Sequence, residues 1–111
     1  MTVDEQQNYQ RVVHCNVVDG IATITLDSQR NRNALSRQLL ADLHHSLDDA
    51  EASHARAIVL THRGPAFCAG ADLKERSTAA SAPSDSSPFV DALVRLMDAA
   101  CPTIAVVNGA V

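Results

Sequence analysis

Two short runs in this sequence are apolar at almost every position, and they constrain the fold more than any other feature. Residues 57–61 read AIVLT and residues 103–107 read TIAVV. Such runs are typical of strands that are buried on both faces, as in parallel sheets. Each run follows a segment whose apolar residues recur at helical spacing. We therefore predict an α/β fold in which strands alternate with helices and form a parallel sheet.

The beginning of the chain predicts an antiparallel hairpin. Residues 12–18 and 21–26 are rich in β-branched side chains, and an Asp-Gly pair separates them. That dipeptide is the one that most favours the tight type I′ turn. We predict that residues 1–11 form a polar tail and that residues 12–111 form one domain.

The first helix is predicted after the hairpin. Ser36 is a good N-cap, and the helical pattern after it runs to about Ser53. The apolar residues of this segment share one face, which we expect to be buried: Leu39, Leu40, Leu43, Leu47 and Ala50.

A second helix is predicted before the second apolar run. Residues 77–87 are small and polar, which indicates a flexible loop. Ser87 is then the N-cap, Pro88 takes the first helical position, and Pro102 ends the helix. The apolar residues at helical spacing are Val90, Leu93, Val94, Met97 and Cys101. Because the sequence lacks the helices that would follow in a complete domain, we expect this face and residues 103–107 to be exposed.

The loop after the first apolar run is the strongest candidate for a functional site. Residues 64–76 read GPAFCAGADLKER and contain two of the four glycines of the chain. Gly64 and Gly70 allow conformations that residues with a Cβ avoid, so the loop could present backbone N–H groups to a developing negative oxygen. A tight turn with no ligand explains the same residues equally well. A phosphate-binding P-loop is excluded, because Ala71 rather than a lysine follows Gly70.

Two other kinds of site find less support. Cys68 has no histidine close to it in sequence, so we interpret it as a packed thiol rather than a nucleophile. His44 and Asp48, like His45 and Asp49, are four residues apart on the first helix. Because leucines occupy the buried face of that helix, we predict that both pairs are surface contacts, and we predict no metal site.

Charge and cysteine content limit the classes of partner. The chain has 13 acidic and 9 basic residues and a net charge of -4, which argues against nucleic-acid binding. Its polar N-terminus lacks the pattern of a secretory signal, and no stretch is apolar enough to suggest a membrane span. We therefore predict a cytoplasmic protein whose partner is a small molecule or another protein.

Three segments, in order, closely resemble signatures of the crotonase family, also called the enoyl-CoA hydratase/isomerase family. They are residues 30–36 (RNRNALS), 64–75 (GPAFCAGADLKE) and 101–111 (CPTIAVVNGAV). The resemblance implies a crotonase-like spiral of β-β-α units that binds acyl-CoA thioesters, as in fatty acid metabolism. It also implies a thioester enolate stabilised by two backbone N–H groups in an oxyanion hole. No cofactor is implied besides the coenzyme A of the substrate.

The resemblance assigns roles to individual residues. Ala71 follows the glycine of the A-G-A-D motif, so its backbone N–H is the implied first oxyanion donor. Arg30, Arg32 or Lys74 is implied to pair with the CoA phosphates, and the sequence leaves open which of them does. The residues implied to contact the adenosine and pantetheine parts of CoA are Asn33, Ala34, Leu35, Ala69, Asp72, Leu73 and Lys74.

In the family, the second donor and the proton-transferring acids come after the N-G-A-V motif. This sequence ends at Val111, so we expect the N-terminal part of a crotonase-like domain, truncated after the second oxyanion strand. By itself the chain is predicted to be inactive, and to form a homo-oligomer or to associate with the missing C-terminal half. The alternative is a truncated, non-catalytic relative that serves as a CoA-binding or interaction module.

Overall fold

The fold is taken from a computed structural model, which describes residues 10–70 and 88–109. Predictions for residues 1–9 and for the loop 77–87 lie outside the described residues. A short 3-10 helix, Gln29–Asn31, follows the second strand. The strands and α-helices, in chain order, are β1 (Val13–Val18), β2 (Ile21–Leu26), α1 (Arg37–Ala52), β3 (Ala57–His62), α2 (Pro88–Met97) and β4 (Thr103–Ala105).

The predicted hairpin is confirmed. β1 and β2 pair antiparallel, with Val18 opposite Ile21 at the turn. Asp19 and Gly20 between them have φ values of 54° and 81°, as a type I′ turn requires.

The predicted first helix and its buried face are also confirmed. The hydroxyl oxygen of Ser36 accepts a hydrogen bond from the backbone N–H of Leu39 at 3.1 Å, which satisfies one free donor at the start of α1. α1 packs on β1 and β2. Its five predicted residues are all buried: Leu39, Leu40, Leu43, Leu47 and Ala50.

The four strands form one sheet in the order β1-β2-β3-β4. β2, β3 and β4 run parallel, so their carboxyl ends lie at the same edge. Ligand sites of α/β sheets form at this edge, which is also where the glycine loop leaves β3. Neither α1 nor α2, the α-helices of the described residues, has the length and apolar composition that a membrane span requires.

β3 is less buried than predicted, whereas the exposure predicted for residues 103–107 is confirmed. Ile58 is buried, but the other residues of β3 are half-buried. β4 is three residues long rather than the five of residues 103–107, and all three are exposed. The physical reason is that α1 lies over β1 and β2 and leaves the other half of the sheet less covered.

The apolar face of α2 is exposed, as predicted for this chain. Ala92 is the buried residue of this helix, and Cys101 lies beyond the end of the helix at Met97. α2 contacts α1 through this small residue and through Arg95. In this orientation the larger apolar side chains of α2 point outward. The exposed fractions are 51% for Val90, 43% for Leu93, 48% for Val94 and 82% for Met97.

Candidate functional site

Three segments meet at the edge of the sheet where the parallel strands end. Residues 27–35 leave β2, residues 63–70 leave β3 and residues 106–109 leave β4. We call them the first, second and third exit segments. Each contains residues of one of the three family-like motifs.

Backbone hydrogen bonds join the first two exit segments. The N–H of Leu35 donates to the carbonyl of Gly70 at 2.7 Å, and the N–H of Ala69 donates to the carbonyl of Arg32 at 3.0 Å. The two bonds run in opposite directions between the segments, as in a short piece of sheet. The end of the glycine loop is therefore held in place by backbone atoms of the segment that follows β2.

Asn33 forms a third link between these two segments. Its side chain is fully buried, and its Nδ2 donates to the carbonyl of Ala66 at 3.0 Å. Its Oδ1 accepts from the backbone N–H of Ser28 at 2.6 Å. Asn33 also has a φ of 59°, a left-handed conformation that asparagine tolerates better than most residues. Both ends of its side chain are used inside the protein, so any effect on a ligand would be indirect.

The glycine loop adopts the conformations expected of it. Gly64 and Gly70 have φ values of 84° and 96°, in the region that residues with a Cβ rarely adopt. An added Cβ at Gly70 would meet no described atom within 4 Å, whereas one at Gly64 would lie 3.0 Å from the side chain of Gln29. Gly70 is thus required for its backbone conformation alone.

The predicted site residues are distributed as follows. Asn33 and Leu35 are bonded to Ala66 and Gly70, on either side of Ala69 in the glycine loop. Ala34, between them, is buried, whereas Ala69 is exposed. Arg30 and Arg32 are exposed on the first exit segment. The remaining predicted site residues lie outside the described residues: Ala71, Asp72, Leu73 and Lys74. The predicted CoA contacts stay predictions.

The third exit segment packs closely against the second. A Cβ added to Gly109 would overlap the carbonyl group of Pro65. The backbone N–H of Asn108 donates to Nε2 of His62 at 2.9 Å. The ring of His62 meets the ring of Phe67 edge-on, with centroids 5.3 Å apart. The ends of β3 and β4 are therefore in direct contact.

A polar cluster lies next to the glycine loop. Asp27 contacts Nε2 of His14 at 3.0 Å, Arg63 at 3.2 Å and the amide of Gln29 at 3.2 Å. Burial alone would raise the pKa of Asp27, but the hydrogen bonds from Gln29 and His14 and the charge of Arg63 outweigh it, so the pKa lies below its usual value. Asp27 is therefore an anchored carboxylate rather than a proton carrier.

His44 and Asp48 are engaged with α2, which corrects their interpretation as a surface pair. Nε2 of His44 lies 2.9 Å from the carbonyl of Pro88, and Arg95 contacts Nδ1 of His44 at 3.1 Å. Arg95 also pairs with Asp48 and Glu51 at 2.8 and 3.0 Å. Burial lowers the pKa of Arg95, but these two carboxylates raise it by more. In the part of the chain that the structure describes, no three potential metal ligands cluster.

A cleft of about 520 Å³ opens between α1 and α2, away from the exit segments. Its walls include Leu47, Ile58, Val94 and Cys101. Ile58 and Cys101 lie at or before the amino ends of β3 and β4, so the cleft is at the opposite edge of the sheet from the glycine loop. It does not contribute to the candidate site.

The cysteines do not form a site among the described residues. All three are free and half-buried. Burial raises the pKa of the Cys15 thiol, and the negative charge of Asp49 adds to this effect. Cys15 therefore stays protonated and is a poor nucleophile.

Sequence reasoning missed Asp27, His62 and Arg95. A signal existed for Asp27 and His62. Each has a titratable side chain near the carboxyl end of its strand, and ligand sites of parallel sheets form at that edge. No comparable signal existed for Arg95, because its partners come from another helix.

The family model described as enoyl-CoA hydratase/isomerase matches residues 16–111. Among curated proteins, the probable enoyl-CoA hydratase echA6 of Mycobacterium bovis is 41% identical over 95 residues. That match covers 82% of this chain and 36% of the relative. The chain thus spans about a third of the length of the curated relatives it matches.

Solved structures agree with this assignment. A putative enoyl-CoA hydratase/isomerase from Legionella pneumophila has a TM-score of 0.80 and 28% identity, covering 91% of this chain and 41% of that one. A methylmalonyl CoA decarboxylase complexed with 2S-carboxypropyl CoA has a TM-score of 0.81 and 28% identity, covering 94% of this chain and 41% of that one. The expected crotonase-like fold is confirmed by these similarities.

Proposed function

This chain belongs to the enoyl-CoA hydratase/isomerase family, and from that premise we propose that it is part of an enzyme that processes acyl-CoA thioesters. The proposed role of the described residues is to hold the glycine loop so that it offers a backbone N–H to the thioester oxygen. CoA enters as part of the substrate, and backbone donors need no metal.

One hydrogen bond carries the proposal. The carbonyl of Gly70 accepts the N–H of Leu35, which anchors the described end of the glycine loop to the first exit segment. In a trans peptide the N–H points opposite to the carbonyl. We propose that anchoring this carbonyl leaves the N–H of the next residue, Ala71, to donate to a ligand oxygen.

The chemistry explains why a fixed donor is useful. Adding water to a conjugated thioester, shifting its double bond or removing an α-proton all move negative charge onto the carbonyl oxygen. A donor that is already oriented stabilises this charge without reorganising, and losing one such donor typically costs about 3 kcal/mol. By their names, the similar proteins include a hydratase and a CoA decarboxylase. We therefore propose the substrate class, acyl-CoA thioesters, and the stabilisation of negative charge on the thioester oxygen. We do not propose which reaction of the family takes place.

The surface of the first two exit segments is compatible with the CoA part of a substrate. Ala69 is exposed and has only a methyl side chain, so a ligand can approach the backbone there. Arg30 and Arg32 are exposed nearby and could pair with phosphates. We also propose that the protein is cytoplasmic. Through its exposed apolar residues we propose that it associates with a second copy of itself or with a polypeptide that corresponds to the C-terminal half of the family domain.

The test is acyl-CoA binding, measured by titration calorimetry with acetoacetyl-CoA, a thioester that enolises readily. The chain should bind it, Ala71→Gly should retain affinity within about twofold, and Ala71→Pro should lose at least tenfold because proline has no N–H. Circular dichroism spectra of the variants verify folding. Equal losses in both variants would assign Ala71 to packing, and no binding by the folded chain would overturn the proposal.

A further inference from the structure

His62, at the carboxyl end of β3, has a hydrogen bond that determines the protonation of its ring. The backbone N–H of Asn108 donates to Nε2 of His62 at 2.9 Å. A backbone N–H can only donate, so Nε2 must be the unprotonated ring nitrogen. The neutral ring then carries its proton on Nδ1. A charged ring, with protons on both nitrogens, could not accept this bond.

The surroundings of His62 restrict the ring further. Its Nδ1 is buried and has no hydrogen-bond partner among the described residues. The ring also packs edge-on against Phe67 of the glycine loop. Burying an unpaired donor is unfavourable, so an apolar side chain would be favoured here if packing were the only requirement. What an imidazole offers here, and an apolar side chain would not, is an acceptor for the N–H of Asn108.

The bond extends the contact between β3 and β4 past the end of their ladder. The last ladder bond runs from the N–H of Val106 to the carbonyl of Leu60, and β4 itself ends at Ala105. Two residues later, His62 holds Asn108. Gly109 then lies so close to the backbone of Pro65 that no side chain would fit.

We propose that His62 is a positioning residue, which fixes the third exit segment against the glycine loop through its neutral, Nδ1-protonated ring. This proposal rests on the proposed function. In that function the second and third exit segments flank the thioester oxygen, and the link made by His62 keeps the distance between them constant. His62 does not touch the substrate in this role. It acts through Asn108 on one side and Phe67 on the other.

The experiment compares three forms of the isotope-labelled 111-residue chain by NMR. In the wild type, long-range proton–nitrogen spectra of the His62 ring should show the Nδ1-protonated neutral form. His62→Leu should raise the exchange rate of the Asn108 amide with water about fivefold or more, as the loss of one typical hydrogen bond implies. His62→Gln, whose side-chain oxygen can accept the same bond, should keep the exchange rate within about twofold of the wild type.

Matched controls separate this role from general damage. His45 is exposed on α1, so His45→Leu and His45→Gln should leave the Asn108 amide unchanged. An Nε2-protonated ring in the wild type, or equal exchange in His62→Leu and His62→Gln, would overturn the proposal. Binding of acetoacetyl-CoA is measured on the same samples. If the wild type fails to bind while the ring form and the exchange rates are as expected, the proposed function fails and the link between His62 and Asn108 stands.

Discussion

The backbone N–H of Leu35 lies 2.7 Å from the carbonyl oxygen of Gly70 and donates to it. Leu35 belongs to the segment after β2 and Gly70 to the loop after β3, so this bond is one of those that join two segments distant in sequence. The bond ties the described end of the glycine loop to the segment after β2. The predictions for Gly70 and Asn33 concern the residues that make this arrangement possible.

Gly70→Ala should destabilise the protein although its methyl group has space. No described atom lies within 4 Å of the added Cβ, but φ is 96°. We expect the free energy of unfolding, measured with urea, to fall by about 1–3 kcal/mol, and acetoacetyl-CoA binding to weaken. Ala69→Ser, at the exposed neighbour, should leave the free energy of unfolding unchanged. A Gly70→Ala variant with wild-type stability would show that the loop tolerates another conformation.

Asn33→Ala should be strongly destabilising. It removes the partners of the Ser28 N–H and the Ala66 carbonyl, and we expect a loss of about 2–4 kcal/mol in urea unfolding. Asn33→Gly loses the same hydrogen bonds but accepts the φ of 59° without strain. It should therefore be about 1 kcal/mol more stable than Asn33→Ala. If Asn33→Ala were instead the more stable of the two variants, the left-handed φ of residue 33 would not limit which residue fits there.

Asp27 should make stability depend on pH in the acid range. Its pKa is lower in the folded protein than the ordinary value of 3.8, so its contribution is present above that value and is lost as the pH falls through the folded pKa. Asp27→Asn should be less stable at pH 7 by about 1 kcal/mol or less, because Arg63 and His14 are partly exposed. The difference from the wild type should shrink below about pH 4.

Thermal melts from pH 7 down to pH 3 measure this dependence. Asp98→Asn removes the same charge at an exposed position and is the control. A deficit of Asp27→Asn that stays constant over the whole range would contradict an ionic contribution from Asp27.

The exposed apolar residues of α2 should cause self-association. Leu93, Val94 and Met97 share the exposed side of a helix whose buried residue is Ala92. Sedimentation velocity at micromolar concentration should detect species larger than a monomer, and Leu93→Glu should shift them toward the monomer. Ala41→Glu adds the same charge at an exposed position of α1 and should have little effect. A monodisperse wild-type monomer would contradict the prediction.

The sequence predicted those parts of the fold that depend on local chemistry. The Asp-Gly pair sets the hairpin turn, and Ser36 starts α1, because each acts on backbone groups within a few residues. The conformations of Gly64 and Gly70 follow from the same kind of reasoning. In each case the residue type itself determines the geometry.

The sequence could not predict which residues make the contacts between helices. Periodicity identified the apolar face of α2, but α2 meets α1 through Ala92 and Arg95, and this contact depends on the position of the neighbouring helix. The hydrogen bonds made by Asn33 and His62 could not be predicted from the sequence for a related reason. Their partners, Ala66 and Asn108, become neighbours only after the strands have paired.

The core of the described chain comes almost wholly from its first half, and this affects how the protein folds during synthesis. Among the buried core residues, all but Ala92 belong to residues 13–58. During translation the hairpin, α1 and β3 can therefore bury this core while later residues are still inside the ribosome. We expect β3 to serve as a finished template on which β4 pairs afterwards, so that the proposed site assembles last, on a sheet that has already formed.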